Sequence, residues 1–368
     1  MKIFLCGDVM TGRGIDQVLP HPGDPRIHEP YMRSAQGYVE LAEAACGHIP
    51  KPVGFDYVWG DALEALQRAA PDVRIVNLET AITRSEDREP KGINYRMHPD
   101  NVAVITSAGV ACCVLANNHV LDWGRAGLRE TLDTLHGAGV RTAGAGNDLA
   151  EAQAPAVLEV PGKGRVLVFA FGTQSAGVPH GWAAGPDSPG VNLLEDLSQE
   201  TAQRVASLVR EAKRPGDIVI ASIHWGGNWG YQIPEEQERF ARRLIEEAGV
   251  DAIYGHSSHH PKGIAVHQGR PILYGCGDFI NDYEGIGGYE DFRGDLALMY
   301  LLVVNAGDGR LLRLEMTPFR MRRFRLGRAP RDDARWLTAT LDRECGKLGT
   351  RVELDDQDRL VLRRRLPN

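Results

Sequence analysis

Residues 217–227 read DIVIASIHWGG, and residues 251–260 read DAIYGHSSHH. Each segment contains a short run of apolar and β-branched residues, which is typical of a buried strand. The first run ends at His224, and the second ends at His256 with His259 close behind it. Because imidazoles are common metal ligands, two neighbouring strands that end in histidines predict a metal site.

Three earlier apolar runs end in a similar way. KIFLCGD stops at Asp8, VRIVNLE stops at Glu79, and ACCVLANNH stops at Asn118 and His119. In an open α/β sheet, ligands bind at the carboxyl ends of the strands, where such residues converge. The five runs together predict one polar pocket built from carboxylate, amide and imidazole groups.

The apolar runs alternate with segments of helical periodicity, and this alternation predicts an α/β fold. We expect helices over residues 61–70, 125–137, 195–213 and 234–248, and a hairpin over residues 156–171. After residue 263 the apolar runs follow one another without helical segments, which predicts antiparallel strands in a second sheet.

Composition limits the class of protein. A chain of 368 residues with 43% hydrophobic residues can bury one large core, so we expect one main domain with a small C-terminal addition. The net charge of -7 argues against nucleic-acid binding, which requires clustered cationic charge. No apolar run approaches the roughly 20 residues that cross a bilayer, and the N-terminus lacks the apolar region of a signal peptide. We therefore expect a cytoplasmic protein without a membrane segment, and the sequence leaves a homo-oligomer open.

The predicted pocket suits one or two divalent cations of the Mn, Zn, Fe or Mg type. A pair of such ions needs a carboxylate that reaches both, with further ligands on each and an open position for water. Glu79 is the bridging candidate. The other candidate ligands form two sets, Asp8 and His259 for one ion and Asn118, His224 and His256 for the other. The alternative is that each histidine is a hydrogen-bonded turn residue.

His119 and Asp122 form a second candidate pair. If Asn118 holds a metal, the adjacent imidazole of His119 faces a leaving group, and Asp122 can orient it as a general acid. The alternative is that Asp122 caps the helix that follows it.

Arg13 lies between glycines in GDVMTGRG, a few residues after Asp8. A planar guanidinium at this position can hold a phosphate or carboxylate through two hydrogen bonds, which makes Arg13 a third catalytic candidate. The alternative is a solvated loop arginine. Trp225, Trp229 and Tyr231 follow His224 in a glycine-rich segment, and they predict either a substrate groove or a lid packed on itself.

The series GDVM, NLET, ANNHVLDWG, SIHWG, GHSSHHP and YGCGDF resembles the motifs of the bacterial capsule synthesis protein family, CapA, called PgsA in poly-γ-glutamate producers. That family is similar in turn to the calcineurin-like metallophosphoesterases. The resemblance covers residues 1–319 and implies an α/β fold of a particular kind, the four-layer α/β/β/α sandwich of the metallophosphatase type. Residues 320–368 would then form a small extension that packs on this main domain.

The resemblance also implies roles for the motif residues. It matches Asp8 to the first metal aspartate, Glu79 to the bridging acid, Asn118 and His119 to an Asn-His pair, His224 to a lone histidine, and His256 and His259 to a closing pair. Where the metallophosphoesterases have Asp-x-His, this chain has Asp8-Val9-Met10. A thioether is a poor ligand for hard divalent ions beside carboxylates.

Two functions from different classes follow. The first is a metal-dependent hydrolase that acts on a phosphoester or on a γ-glutamyl or other amide substrate, either a small molecule or a glutamate-rich polymer. The same cation can also polarise a carbonyl for amide-bond formation, which the residues do not distinguish from hydrolysis. The second function is a noncatalytic component that binds a polymer or a partner in capsule or poly-γ-glutamate synthesis.

Overall fold

The computed structural model describes residues 1–364 of the chain, and the last four residues of the predicted C-terminal extension lie outside this range. The described residues form a mixed α/β structure with several sheets, which confirms the predicted α/β class. In chain order, the strands are β1 (Lys2–Val9), β2 (Val73–Leu78), β3 (Ala81–Ile82), β4 (Arg96–Met97), β5 (Cys112–Val114), β6 (Arg141–Ala143), β7 (Ala145–Gly146), β8 (Ala156–Val160), β9 (Gly164–Thr173), β10 (Gly190–Val191), β11 (Leu193–Leu194), β12 (Ile218–His224), β13 (Ala252–His256), β14 (Ile264–His267), β15 (Arg270–Leu273), β16 (Asp278–Ile280), β17 (Leu296–Val304), β18 (Leu311–Arg322), β19 (Arg325–Arg328), β20 (Thr350–Leu354) and β21 (Leu360–Arg364).

The four predicted helical segments are present to within a few residues at each end, and the structure adds helices that were not predicted. In chain order, the helices are α1 (Gly14–Val18), α2 (Gln36–Cys46), α3 (Asp61–Ala69), α4 (Ala103–Thr106), α5 (Gly124–Gly137), α6 (Leu149–Gln153), α7 (Gln199–Ala212), α8 (Glu235–Glu246) and α9 (Arg331–Gly346). The predicted hairpin is present as antiparallel β8 and β9. Within residues 1–364, no helix is both long enough and apolar enough to cross a membrane.

The first large sheet has ten strands, of which eight follow the order β20-β21-β18-β17-β1-β2-β5-β6. Strands β1, β2, β5 and β6 are parallel, whereas β17, β18, β21 and β20 extend the sheet on the other side in antiparallel pairs. Strand β16 pairs with the end of β1 and sets Asp278 beside Asp8. The parallel strands therefore direct the ends of β1, β2 and β5 toward one edge.

The second large sheet has seven strands, and its main order is β11-β9-β12-β13-β15-β14. Strands β9, β12, β13 and β15 are parallel, and β14 adds an antiparallel edge. The register of β12 and β13 places His224 directly opposite His256. Two short sheets, β3 with β4 and β7 with β10, complete the described strands.

The period of two along each strand determines where the cores lie. In β1, Ile3 and Leu5 belong to a buried cluster that includes Val168 of β9 and Ile220 of β12, so this cluster joins the two large sheets. Phe4 and Cys6, on the opposite face of β1, belong to a cluster that includes Leu128 and Leu132 of α5.

A third buried cluster lies on the second sheet and contains residues of two helices. It joins Leu167 and Phe169 of β9 to Val205 of α7 and to Phe240 and Leu244 of α8. Full burial of such side chains stabilises the fold by roughly 1.5–3 kcal/mol each relative to exposure. One buried cluster thus contains residues of both large sheets, and each of the other two contains residues of one large sheet and of helices.

The prediction that the strands after residue 263 form a second sheet of their own is wrong. Strands β14 and β15 join the second large sheet through parallel pairing of β15 with β13. Strands β17 and β18 are antiparallel, as predicted, but they join the first sheet through β1. Apolar alternation identifies a strand but not its neighbour, because pairing depends on chain connections and register. Residues 320–364 contribute the end of β18, followed by β19, α9, β20 and β21.

Candidate metal site at the strand ends

The ends of four strands bring the predicted ligands together. Asp8 lies at the end of β1, Glu79 directly follows β2, His224 ends β12, and His256 ends β13. We call these four residues the ligand cluster. Their exposed fractions are between 0% and 2%, so the cluster is buried.

Three members of the ligand cluster have the spacing of metal ligands. One donor atom from each of Asp8, Glu79 and His224 lies within 4.8 Å of the other two. Among the residues that the structure describes, this is the one group of three His, Cys, Asp or Glu side chains that meets this spacing. The rings of His224 and His256 stack with centroids 6.4 Å apart and planes inclined by 20°.

Hydrogen bonds orient the cluster without using all of its atoms. Asp8 Oδ1 accepts a hydrogen bond from Asn77 Nδ2 at 2.8 Å and lies 3.0 Å from His256 Nδ1. His224 Nε2 lies 3.1 Å from Asn118 Oδ1. Since carboxylate and amide oxygens only accept, these contacts place the hydrogen on Nδ1 of His256 and on Nε2 of His224.

Three buried atoms of the ligand cluster have no hydrogen-bond partner among the described residues. They are Asp8 Oδ2, His224 Nδ1 and His256 Nε2. Both nitrogens are the atoms left with lone pairs by the hydrogen positions just described. Buried polar atoms are nearly always paired with protein groups, water or a ligand, so these three acceptors are candidate ligand atoms. A divalent cation fits this donor set of carboxylate oxygens and imidazole nitrogens.

The carboxylates of Asp8 and Glu79 are buried close together, and this affects the pKa of each. Burial raises the pKa of Glu79 well above its ordinary value, and the charge of Asp8 raises it further. Burial also opposes ionisation of Asp8, but hydrogen bonding and charge from His256 outweigh it and lower the pKa of Asp8. Burial lowers the pKa of His224 to about 3, which keeps the imidazole neutral and able to bind a cation at neutral pH.

Asn118, His119 and Asp122 follow β5 and lie beside the ligand cluster. His119 Nδ1 lies 2.6 Å from Asp122 Oδ2, and His119 Nε2 lies 3.8 Å from Glu79 Oε1. Burial lowers the pKa of His119 to about 4, although Asp122 opposes this shift. Helix α5 has Trp123 at its N-cap and no side-chain cap, so the alternative role for Asp122 as a helix cap is wrong.

Lys91 supports this pair from a loop. Its Nζ lies 2.7 Å from Asp122 Oδ1 and 3.3 Å from His119 Nδ1, and it also donates to the carbonyl oxygen of Asn118. The ammonium lies 5.3 Å from the ring centroid of Trp182, within the range of a cation–π contact. Both carboxylate oxygens of Asp122 therefore have partners. Oδ1 contacts Lys91, and Oδ2 contacts His119 and accepts a hydrogen bond from Tyr95 N at 2.6 Å.

His259 is not among the three grouped ligands. Its Nδ1 lies 2.9 Å from Asp278 Oδ1, and its Nε2 lies 3.1 Å from Asn228 Nδ2. Asp278 Oδ2 in turn accepts from Asn281 Nδ2 at 2.9 Å. We call Asn228, His259, Asp278 and Asn281 the paired cluster, because each of these contacts uses an atom that would otherwise be a free ligand. The charge of Asp278 raises the pKa of His259 despite burial.

Arg13 is fully engaged within the protein. Its guanidinium makes hydrogen bonds to both carboxylate oxygens of Asp282 and one bond of 3.0 Å to Glu29, and its side chain is 1% exposed. It also lies 3.9 Å from the ring centroid of Tyr38 and 4.5 Å from that of Tyr95. The alternative of a solvated loop arginine is therefore wrong, and three of the five N–H groups of the guanidinium already donate to carboxylates of the protein.

Sequence reasoning missed three residues that arrange the site, namely Asn77, Lys91 and Asp278. Asp278 had a usable signal, because it follows an apolar run and a glycine just as Asp8 does. Asn77 lies inside an apolar strand two residues before Glu79, where the period of two puts both side chains on one face. Lys91 lies in a loop between Pro90 and Gly92, and nothing in the sequence separates it from a solvated lysine.

A cavity of about 720 Å³ borders the paired cluster. Its lining includes Asn228, Trp229, His259, Tyr283 and Tyr289. Trp229 and Tyr289 stack with ring centroids 4.0 Å apart, so the loop after β12 and the loop after β16 meet at this wall. Cavities of several hundred cubic ångströms with aromatic walls are typical small-molecule sites.

The aromatic residues after His224 divide between the two predicted roles. Trp229 lines the cavity, whereas Trp225 is 2% exposed and donates from Nε1 to the carbonyl oxygen of Tyr274 at 2.9 Å. Tyr231 packs against His260 with ring centroids 4.5 Å apart. Only Trp229 among these three lies where a molecule in the cavity would contact it.

Comparison with known proteins identifies the family. A family model for bacterial capsule synthesis protein PGA_cap matches residues 2–283, and this chain belongs to that family, which confirms the resemblance predicted from the motifs. The chain is 50% identical over 354 residues to a probable polyglutamine synthesis accessory protein of Mycobacterium tuberculosis strain H37Rv, with 96% of this chain and 93% of the relative covered.

More distant relatives carry related names. The PGA biosynthesis protein CapA of Bacillus subtilis is 27% identical over 320 residues, with 86% of this chain and 71% of the relative covered. The capsule biosynthesis protein CapA of Bacillus anthracis is 23% identical over 283 residues, with 77% of this chain and 60% of the relative covered.

Proposed function

We propose that this protein is a metal-dependent enzyme of the CapA type, related to the metallophosphoesterases, that hydrolyses a phosphoester or a γ-glutamyl or other amide bond in polyglutamate or related biosynthesis. The observation that carries the proposal is the grouping of one donor atom from each of Asp8, Glu79 and His224 within 4.8 Å of one another. Three buried atoms of the ligand cluster without a partner, Asp8 Oδ2, His224 Nδ1 and His256 Nε2, support it. A protein that only needed these residues for packing would satisfy or replace them, because unpaired buried polar atoms destabilise the fold.

We further propose that residues 1–319 form the catalytic domain as a four-layer α/β/β/α sandwich and that residues 320–364, the described part of the C-terminal extension, pack on it. The three buried clusters support this arrangement, since one joins the two large sheets and the other two join each sheet to helices.

The ligand cluster would hold the cation, with Asn118 as a further oxygen donor. A bound Mn, Zn, Fe or Mg ion supplies an activated water and polarises the scissile group. The protein orients these ligands through Asn77, which donates to Asp8 Oδ1 and, at 3.3 Å, to Glu79 Oε2. Such outer contacts fix ligand geometry and affect metal affinity.

His119 would exchange a proton with the substrate or with water at Nε2. Its Nδ1 points to Asp122, which only accepts hydrogen bonds when ionised, so Nε2 is the ring atom directed at the site. Lys91 and the backbone of Tyr95 hold Asp122 in place. Arg13 has no direct part in this chemistry, because Asp282 and Glu29 already bind its guanidinium.

The substrate class follows from the relatives and from the cavity. Relatives are named for polyglutamine synthesis, PGA biosynthesis and capsule biosynthesis, which favours a glutamyl compound over other amides. The cavity beside His259, with a volume of about 720 Å³, is large enough for a small molecule or for several residues of an extended polymer.

The test is an activity screen with defined metals. Full-length protein purified without chelator is assayed with a phosphomonoester and with γ-glutamyl peptides after addition of Mn²⁺, Zn²⁺ or Mg²⁺. We expect turnover with at least one metal, loss of turnover in His224→Ala, and normal turnover in His136→Ala, which removes an exposed histidine on α5. Absence of bound metal together with absence of turnover on every substrate would contradict the proposal.

A second candidate is a noncatalytic component that binds a glutamate-rich polymer or a partner protein. Met10 favours it, because the thioether replaces an expected imidazole and accepts a hydrogen bond from Tyr283 at 3.4 Å. Tight binding of polyglutamate by protein that carries metal but turns over none of the substrates would select this candidate.

A further inference from the structure

We infer that this chain binds one divalent cation rather than two, at the ligand cluster, and that the hydrogen-bonded Asp278–His259 pair takes the place of the second ion. The inference rests on the proposed metal-dependent function, and it specifies how many ions the site holds. It divides the predicted ligands into those that bind metal and those that bind each other.

The two clusters differ in the atoms that remain available. The ligand cluster has three buried atoms without partners, two of them imidazole nitrogens. In the paired cluster, both ring nitrogens of His259 and both carboxylate oxygens of Asp278 have partners among the described residues. A cation at the paired cluster would have to displace Asp278 or Asn228 from His259 before the imidazole could bind it.

The carboxylates show the same division. Asp278 begins β16 and is in register with Asp8 of β1, yet it does not join the group formed by Asp8, Glu79 and His224. Within residues 1–364, no second group of three ligand side chains has donor atoms as close together. The candidate ligands of a second ion therefore lie farther apart than those of the first.

Met10 removes a further ligand from the second position. Its side chain is fully buried, and its sulfur accepts from Tyr283, whose hydroxyl also lies 2.8 Å from the hydroxyl of Tyr95. A thioether binds hard divalent ions poorly. Met10, two residues after Asp8, thus places a sulfur beside the phenols of Tyr283 and Tyr95, where a second ion would need oxygen or imidazole donors.

The experiment measures how many ions bind to the full-length protein. Chelator-treated protein is titrated with Mn²⁺ by calorimetry, bound metal is counted by elemental analysis and native mass spectrometry, and the electron paramagnetic resonance spectrum is recorded. We expect one Mn²⁺ per chain, with the spectrum of an isolated ion. Two Mn²⁺ per chain with a spin-coupled spectrum would overturn the inference and leave the proposed metal-dependent function standing.

Two matched histidine variants locate the ion. His224→Ala should weaken the Kd for Mn²⁺ by about 100-fold or more, whereas His259→Ala should change it by less than about 3-fold. Circular dichroism and thermal unfolding of both variants check that they fold, and the count on the unaltered chain does not depend on either. Loss of an ion in His259→Ala would overturn the inference. No metal bound to the unaltered chain would overturn both the inference and the proposed function.

Discussion

The ligand cluster and the paired cluster are built from the same kinds of residue and lie at adjoining strand ends, yet they use their hydrogen bonds differently. In the ligand cluster, Glu79 makes one hydrogen bond of 3.3 Å with Asn77, and Asp8 keeps one oxygen without a partner. In the paired cluster, Asp278 uses both oxygens and His259 uses both nitrogens. Residue type alone therefore does not separate a ligand from a structural residue.

The difference has an energetic meaning. Two carboxylates buried close together destabilise the metal-free fold, as the raised pKa of Glu79 indicates. A buried pair that is fully hydrogen-bonded destabilises the fold much less, and removing one member is what destabilises it. Substitutions in the two clusters should consequently affect activity and stability in opposite ways.

The largest expected effect is on activity in Glu79→Gln. The substitution keeps the contact with Asn77 but removes a charged ligand, so we expect kcat/KM to fall by about 1000-fold or more, equivalent to about 4 kcal/mol of transition-state stabilisation. Steady-state kinetics with saturating metal measure this loss. Activity within a few-fold of the unaltered enzyme would show that Glu79 is not a ligand.

The same variant should be more stable than the unaltered protein after chelator treatment, with Tm raised by about 2 °C. The folded-state pKa of Glu79 lies above its ordinary value, so the unfolded chain ionises first as the pH rises. The unaltered protein therefore loses stability as the pH rises from the pKa of Glu79 in the unfolded chain to its raised pKa in the folded chain. The stability gained by the glutamine variant should grow over the same pH interval. Thermal unfolding at several pH values measures it, and a lowered Tm at all pH values would argue against strain in the ligand cluster.

Asp278→Asn should affect stability more than metal binding. It removes the charged partner of the buried His259, and we expect the free energy of unfolding to fall by about 3 kcal/mol, with the bound metal count unchanged. Urea unfolding measures the loss. The control is Asp308→Asn, which alters an exposed pair with Arg310 and should change stability by less than about 0.5 kcal/mol. If Asp278→Asn and Asp308→Asn lowered the free energy of unfolding equally, the Asp278–His259 pair would not have the structural role that separates the paired cluster from the ligand cluster.

Lys91→Met tests the support of His119 from outside both clusters. Without the ammonium, Asp122 and His119 lose an orienting contact, so we expect kcat to fall by about 10-fold with little change in metal affinity. The matched control is Arg88→Met, an exposed cation on the same loop, which should leave kcat unchanged. A fall in metal affinity instead of kcat would place Lys91 with the ligand cluster.

Trp229→Ala should have the smallest effect. The ring stacks on Tyr289 at the cavity wall and contacts the paired cluster, so its loss should raise KM by about 5-fold through weaker substrate binding, with kcat and metal content preserved. Leu312→Ala, which truncates another exposed apolar side chain, serves as the control. An unchanged KM for all active substrates would mean that the cavity does not bind them.

Much of the fold was predictable because strand ends are marked in the sequence. Apolar runs that stop at a polar residue identified β1, β2, β12 and β13 together with their terminal side chains. Sheet membership was less predictable, as β17 shows, because it pairs with β1 across nearly the whole chain. Nothing local in residues 296–304 specifies that partner.

The candidate site was also predictable in part. The sequence identified Asp8, Glu79, His224 and His256, which the structure brings together, but gave His259 the same status. The sequence also predicted that the guanidinium of Arg13 is available to a substrate anion, whereas Asp282, which is distant along the chain, binds it. Glycines around Arg13 and the spacing in GHSSH carry no information on such distant partners.

The sequence by itself determined which side chains reach the strand ends, because the alternation of apolar and polar residues fixes strand boundaries and the facing of each residue. Only the tertiary structure decided which of those side chains keep a free lone pair. That choice depends on neighbours that are distant along the chain, because Asn228 follows β12 of the second sheet and Asp278 begins β16 of the first sheet, and only the tertiary arrangement brings both to His259.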